Sequence, residues 1–105
     1  PRSVLADRAL FSQVELLESL ERFPEIVPLT QTLTQSYPWS PLAPSAKMAE
    51  ARILERLGNA AEAIQVYELL LLNYPKSLEA GEARERLREL QKLDGGGPPK
   101  RGEAG

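Results

Sequence analysis

The chain of 105 residues contains neither cysteine nor histidine. Without cysteine it forms no disulfide and has no thiol nucleophile, and without histidine it lacks the most frequent general base and zinc ligand. Its longest aliphatic run consists of the four leucines at 69–72, which is far too short to cross a bilayer. These absences exclude many enzyme classes and predict no direct insertion into a membrane.

The charge balance gives little support for nucleic-acid binding. There are 13 Lys and Arg against 15 Asp and Glu, which gives a formal net charge of −2. Contact with many phosphates requires a basic surface, so we predict no nucleic-acid partner. Hydrophobic residues at 42% and charged residues at 27% are typical of a folded domain.

Acidic residues at helical spacing occur at 15–21 and at 82–89. Such carboxylates can bind metals, but a helical di-metal site normally includes histidine as well. Glu82 has Arg86 four residues later, which favours an ordinary surface ion pair. No serine has a histidine to activate it, and no glycine-rich loop follows a strand. We therefore predict a protein that is not an enzyme and binds no cofactor or metal ion.

A repeat of 37 residues organises most of the chain. Proline recurs at Pro1, Pro38 and Pro75, and the same offset aligns serines, alanines and aliphatic residues. The aligned sets include Ser3, Ser40 and Ser77, then Ala6, Ala43 and Ala80, then Ala9, Ala46 and Ala83, and Leu16, Ile53 and Leu90. We divide residues 1–94 into units of about 1–37 and 38–74 and a half unit at 75–94, followed by a flexible Gly/Pro tail at 95–105.

Each unit is predicted to contain two helices joined by a short turn. Apolar residues recur at spacings of three and four. The predicted first helices cover about 4–21, 41–57 and 78–93, and the predicted second helices cover about 24–36 and 60–73. Pro28 should cost its helix one hydrogen bond and shorten or bend it. A single pair of antiparallel helices cannot bury both faces, so the fold class is all-α, a right-handed α-solenoid of about five helices.

Capping residues lie at the predicted helix ends. The three aligned serines precede the first helices, where a hydroxyl accepts hydrogen bonds from free backbone N–H groups. Gly58 suits a left-handed C-terminal position, and Asn59 with Glu62 has the spacing of a capping box.

The middle unit carries a distinctive set of small, apolar and aromatic residues. They are Ala46, Ala51, Leu54, Leu57, Gly58, Ala63, Tyr67 and Pro75. In this pattern the unit resembles a tetratricopeptide repeat. The turn Tyr-Pro-x-Ser-x-x-Ala at 37–43 and 74–80 is similar to that of bacterial cell-envelope members of the family, those of outer-membrane assembly and of Tol-associated complexes. The first unit departs from the pattern at Ile26 and Thr30.

The resemblance implies a scaffold that binds a protein or peptide partner in a groove lined by the first helices. By position, the groove residues are Arg8, Phe11, Met48, Arg52 and Arg56. Guanidinium groups beside two apolar side chains could hold a peptide that carries carboxylates. The alternative is that Phe11 and Met48 pack against a neighbouring helix or against a missing upstream repeat.

The resemblance also implies a periplasmic or envelope-associated location in a bacterium, with a cytoplasmic location as the alternative. The given residues begin at Pro1 without an initiator Met or a signal-peptide pattern, so we expect them to be the C-terminal repeats of a longer protein, with any targeting segment outside them. In the tail, Lys100 and Arg101 could instead belong to a peptide arm that docks on a partner.

Three large apolar residues lie where a polar residue is usual. Leu69 and Leu72 fall on the outer face of their helix, because four successive helical residues cannot all face one core. We favour an interface for the two leucines, with a homodimer as first choice and with another partner or the folded-back C-terminal tail as the alternative covers. For Trp39 we favour internal packing, with a subunit contact as its alternative. The main alternative function is therefore structural capping or self-association of a longer solenoid.

Overall fold

The structure, a computed structural model, describes the backbone of residues 2–93 and the side chains of residues 6–92. This part of the chain contains five α-helices. The helices are α1 Arg2–Ser19, α2 Ile26–Ser36, α3 Ala43–Arg56, α4 Ala60–Asn73 and α5 Leu78–Leu93. The predicted all-helical fold is confirmed, since 82% of these residues are helical and none is in a strand. No helix in this range has the length and apolar character to cross a bilayer. The predicted tail at 95–105 lies outside the described residues.

The helices pack mainly against their neighbours in the chain. Contacts join α1 to α2, α2 to α3, α3 to α4 and α4 to α5, and α3 also touches α5. Helix α4 lies between α3 and α5, where Ala63, Tyr67 and Leu70 are fully buried. The first helix of each unit is thus α1, α3 or α5, and the second helices are α2 and α4.

The first unit buries the two residues at which it departs from the repeat pattern. Ile26 is fully buried in one cluster with Val14 of α1 and Ile53 of α3. Thr30 is also fully buried, and its hydroxyl donates to the carbonyl of Val27 at 2.8 Å. Because this bond satisfies the hydroxyl, a polar residue is accommodated where the pattern has an aromatic one.

Pro28 does not cost α2 a hydrogen bond, contrary to prediction. It is the third residue of the helix, where a backbone N–H has no intrahelical partner in any case. Helix α2 is nevertheless shorter than α4, as predicted, because the chain forms a separate 3₁₀ turn at Phe23–Glu25.

The turn between α3 and α4 confirms one of two predictions. Gly58 adopts a φ of 82°, the left-handed conformation that glycine tolerates best. Asn59 stands at the N-cap of α4, but its side chain makes no capping hydrogen bond, so the predicted capping box is wrong.

The three aligned serines lie at different points relative to their helices. Ser77 caps α5 as predicted, since its Oγ accepts a hydrogen bond from the Ala80 N–H at 3.2 Å. The Oγ of Ser40 accepts from the Leu42 N–H at 3.0 Å, which stabilises a turn before α3 rather than the helix itself. Ser3 lies inside α1 and does not precede it.

Candidate partner-binding surfaces

The five predicted groove residues lie in three separate environments. Arg52 and Arg56 line one cleft of about 400 Å³, and Arg8 and Phe11 line another of about 540 Å³. Met48 lies in the core. The single continuous groove expected from the sequence is therefore divided.

The first of these surfaces is the arginine cleft, which receives side chains from all three first helices. Its lining residues are Glu18, Glu21, Phe23, Arg52, Glu55, Arg56 and Arg86. The arginines and the glutamates are equal in number, so the cleft is close to neutral and offers both donors and acceptors.

Arg52 and Arg56 are both exposed but are held differently. A nitrogen of the Arg52 guanidinium lies 3.3 Å from a carboxylate oxygen of Glu18, and both side chains are more than one-third exposed. Such an ion pair is weak because water screens it. The guanidinium carbon of Arg56 lies 4.8 Å from the centre of the Phe23 ring, and no carboxylate within the described residues forms an ion pair with it.

Glu55 connects three helices at the floor of the cleft. Its carboxylate accepts two hydrogen bonds from Arg86 of α5, at 2.5 and 3.3 Å, and one from the Tyr67 hydroxyl of α4, at 2.5 Å. Burial raises the pKa of Glu55, but the hydrogen bonds from Arg86 and Tyr67 and the positive charge outweigh it, so the net pKa is lowered. Burial and the bond to Glu55 raise the pKa of Tyr67.

Arg86 was predicted to pair with Glu82, and this prediction is wrong. Its hydrogen bonds to the Glu55 carboxylate raise the pKa of Arg86. Thirty-one residues separate Arg86 from Glu55, and no local pattern joins them. Sequence reasoning missed the contribution of Arg86 to the cleft for this reason.

Met48 does not line a groove. It is 2% exposed and belongs to the same apolar cluster as Ala83 and Leu87 of α5. The expectation that it is accessible is wrong, and the alternative of packing against a neighbouring helix is correct for this residue. Helix α5 contacts α3 and so contributes to covering the side of α3 that carries Met48.

The second surface is the aromatic cleft, which lies between α1 and the turn before α3. It is lined by Asp7, Arg8, Phe11, Ser12, Glu15, Trp39, Pro41 and Leu42. Phe11 is half-buried against the core cluster that contains Leu33. Asp7 is buried, and its carboxylate accepts hydrogen bonds from the Ser40 hydroxyl and from the Arg8 N–H. The Asp7–Ser40 contact fastens this turn to α1.

Trp39 is 61% exposed, so the prediction of internal packing is wrong. Its ring meets the Tyr37 ring edge to face, with centroids 5.8 Å apart. An edge-to-face pair is favourable without burying either ring completely. Because Trp39 borders the aromatic cleft beside Phe11, it enlarges the apolar area that the cleft offers.

The outer leucines are exposed as predicted. Leu69 is 42% exposed and Leu72 is 74% exposed on α4. Leu69 also borders two clefts between α2 and α4, one with Gln35 and Tyr74 and another with Val66. An interface at these leucines stays a prediction.

A comparison with known proteins found no matching family model, no matching curated protein and no matching solved structure. Within the described residues, no group of three or more acidic side chains is arranged to hold a metal ion. The arginine cleft offers charged donors and acceptors, and the aromatic cleft offers aromatic and apolar area.

Proposed function

We propose that the chain is a non-enzymatic protein–protein interaction module, an α-solenoid of the tetratricopeptide type, and that its arginine cleft binds a peptide segment of a partner. The observation that carries this proposal is the composition of the cleft wall. Glu18 of α1, Arg56 of α3 and Arg86 of α5 border the same open space. A surface that spans three stacked elements suits an extended ligand better than a compact one.

Arg56 is the residue best suited to contact a ligand carboxylate. Its guanidinium packs on the Phe23 ring, which restricts its conformations, and it has no ion-pair partner among the described residues. A planar guanidinium binds a carboxylate through two parallel hydrogen bonds.

Arg52 supplies a second donor at little cost. Its exposed pair with Glu18 contributes about 0–1 kcal/mol, the usual value at a surface, so a ligand carboxylate can replace Glu18. Arg86 is already neutralised by Glu55 and shapes the floor of the cleft. The preferred segment therefore carries a carboxylate opposite Arg52 and Arg56.

A library of random dodecapeptides displayed on phage tests this function. We expect the chain to enrich peptides that contain Asp or Glu, and the double substitution of Arg52→Glu and Arg56→Glu to remove their binding. The melting temperature should change little, because both arginines are exposed.

The matched control is Arg84→Glu with Arg88→Glu, which makes the same change of charge on exposed residues of α5 outside the cleft. This control should retain peptide binding. Enriched peptides that bind the Arg52/Arg56 variant at full strength would show that the cleft is not the binding site.

The resemblance of the turns at 37–43 and 74–80 to those of bacterial cell-envelope proteins supports a periplasmic or envelope-associated location, which we propose alongside the binding function. Fractionation of the producing cells tests it. Recovery of the protein with the cytoplasmic fraction alone would contradict this location.

Self-association through α4 is the second candidate function, favoured by the exposure of Leu69 and Leu72. The two residues are three apart and so form one stripe on the helix. Complete burial of a leucine side chain contributes about 1.5–3 kcal/mol of favourable free energy, and a second copy that covers these leucines would gain part of it.

Measurement of the mass in solution tests this second function. The double substitution Leu69→Glu with Leu72→Glu should halve the mass of a dimer and leave the helical content unchanged. Leu78→Glu is the control, since Leu78 is 94% exposed and lies in α5. A chain that is already monomeric at high micromolar concentration would exclude the dimer.

A further inference from the structure

The repeat shows how the other first helices are covered. Ala46 and Ile53 of α3 are fully buried, in clusters that contain Leu33 and Ile26 of α2 respectively. One repeat later, the equivalent residues of α5 are buried in the cluster that contains α4. In both cases the second helix of the preceding unit packs on this side of the first helix.

Helix α1 carries corresponding residues on the same side, but within residues 2–93 no second helix of a preceding unit covers them. We define the α1 stripe as the four positions that lie one repeat before Ala46, Glu50, Ile53 and Leu57, of which the first three are buried and Leu57 is 38% exposed. The stripe residues are Ala9, Gln13, Leu16 and Leu20. All four are exposed, with Leu16 at 59% and Leu20 at 56%. The repeat equivalents of Leu16 are Ile53 and Leu90, which are 0% and 7% exposed. The exposure of Leu16 therefore comes from the missing neighbour and not from the residue type.

Gln13, the polar residue of the stripe, has a repeat equivalent that is covered by a second helix. Gln13 aligns with Glu50 of α3, which is only 3% exposed. The Glu50 carboxylate accepts a hydrogen bond from the side-chain amide of Gln31 in α2, at 3.3 Å. A covering helix can therefore satisfy a polar group at this level of the stripe.

The covering helices α2 and α4 share one pattern of inward-facing residues. These residues recur at spacings of four, three and four, and all are buried or half-buried. They are Ile26, Thr30, Leu33 and Tyr37 in and just after α2, and Ala63, Tyr67, Leu70 and Tyr74 in and just after α4.

We propose that the α1 stripe is a docking surface for one amphipathic helix that carries this i, i+4, i+7, i+11 pattern, as the second helix of a preceding helical hairpin would. The occupant is defined by the two places in the same chain where an equivalent surface is already covered. When such a helix packs on the stripe, the apolar surface of Ala9, Leu16 and Leu20 is removed from water, which favours docking.

The opposite edge of the stack does not present a comparable surface. On α5, the positions equivalent to three buried apolar residues of α3 hold charged or polar residues, and these are exposed. They are Glu85, Arg88 and Gln91, in place of Met48, Ala51 and Leu54. A polar outer face is how a helical stack ends, so of the two edges only the α1 edge favours another helix.

A fused chain tests this proposal. A copy of residues 38–74 is joined directly before Pro1, so that Tyr74 precedes Pro1 as Tyr37 precedes Pro38. This construction brings a copy of α4 one repeat ahead of α1. We expect the backbone amides of α1 to exchange roughly tenfold or more slowly in the fused chain than in the original chain, because local opening now exposes a covered surface.

The substitutions Ala9→Glu and Leu16→Glu should abolish this slowing in the fused chain and leave the melting temperature of the original chain unchanged. The matched control is Ala61→Glu with Leu78→Glu, an exposed alanine and an exposed leucine away from the stripe, which should keep the slowing.

Three results would overturn the proposal. The first is equal exchange of the α1 amides in the fused and original chains. The second is a loss of stability in the original Ala9/Leu16 variant as large as in the fused one, which would mean that the stripe is already covered. The third is an original chain that sediments as a dimer and becomes monomeric in that variant, which would make a second copy the occupant.

Discussion

Replacement of Tyr67 by phenylalanine tests how strongly the bonds to Glu55 join α3, α4 and α5. The aromatic ring is fully buried and is kept by the substitution, so packing changes little. The hydroxyl that donates to the Glu55 carboxylate at 2.5 Å is lost. The experiment therefore removes one hydrogen bond to a charged acceptor and almost nothing else.

The expected cost follows from the kind of hydrogen bond. A bond to a charged group contributes about 1.5–3 kcal/mol, and we take the lower end because Glu55 keeps its bonds to Arg86. In a domain of this size each kcal/mol shifts the melting temperature by about 4–8 °C, so Tyr67→Phe should lower it by roughly 6–12 °C at neutral pH.

The cost should shrink in acid. The pKa of Glu55 in the folded protein lies below its ordinary value of 4.5, since the bonds from Arg86 and Tyr67 outweigh burial. A lowered pKa stabilises the fold above the unfolded value, and this stabilisation is lost as pH falls through the folded value. Below that pH the acceptor is neutral, and the bond is worth only about 0.5–1.5 kcal/mol.

Urea denaturation of both proteins from pH 7 downward measures this difference. Tyr37→Phe is the control, because no hydrogen bond of the Tyr37 hydroxyl occurs within the described residues. The reasoning is refuted if Tyr67→Phe costs no more than Tyr37→Phe at neutral pH, or if its cost is unchanged at a pH low enough to protonate Glu55 in the folded protein.

Three further substitutions test the packing. Ala63→Arg forces a charged side chain into the fully buried contact of α4 and should cost about 4 kcal/mol or more, seen by circular dichroism as loss of helix; an unchanged melt would contradict this. Met48→Ala should lower the free energy of unfolding, measured by urea denaturation, by about 2–5 kcal/mol, whereas a change near zero would show that Met48 is not buried. Gly58→Ala should cost about 1–2 kcal/mol through backbone strain alone, because a Cβ there meets no atom within 4 Å; stabilisation would rule out the left-handed turn.

The positions of the five helices could be predicted from the sequence because they depend on local information. Apolar spacing and the flexibility of Gly58 act within a few turns of helix, and the repeat of 37 residues carries the same local pattern from one unit to the next. The exposure of Leu69 and Leu72 was also predictable, since a helix cannot turn four consecutive leucines toward one core.

The candidate site was predictable only in part. Arg52 and Arg56 were assigned to a binding surface by their position on a first helix, and they do line one cleft. Met48 could not be assigned correctly, because helical periodicity tells which residues share a face and not how many neighbours cover that face. The contact between α3 and α5 decides its burial.

Contacts between distant residues were decided by the tertiary structure alone. Glu55 reaches Arg86 across 31 residues, and Asp7 reaches Ser40 across 33, without any local signal in either segment. The tertiary structure also decided which side chains are exposed to solvent. Trp39 and Leu16 are both exposed, although the repeat equivalents of Leu16 are buried. The sequence by itself determined the helices and their order. The packing of whole helices determined which residues are accessible to a partner, because the burial of a residue depends on the neighbouring element and not on its own segment.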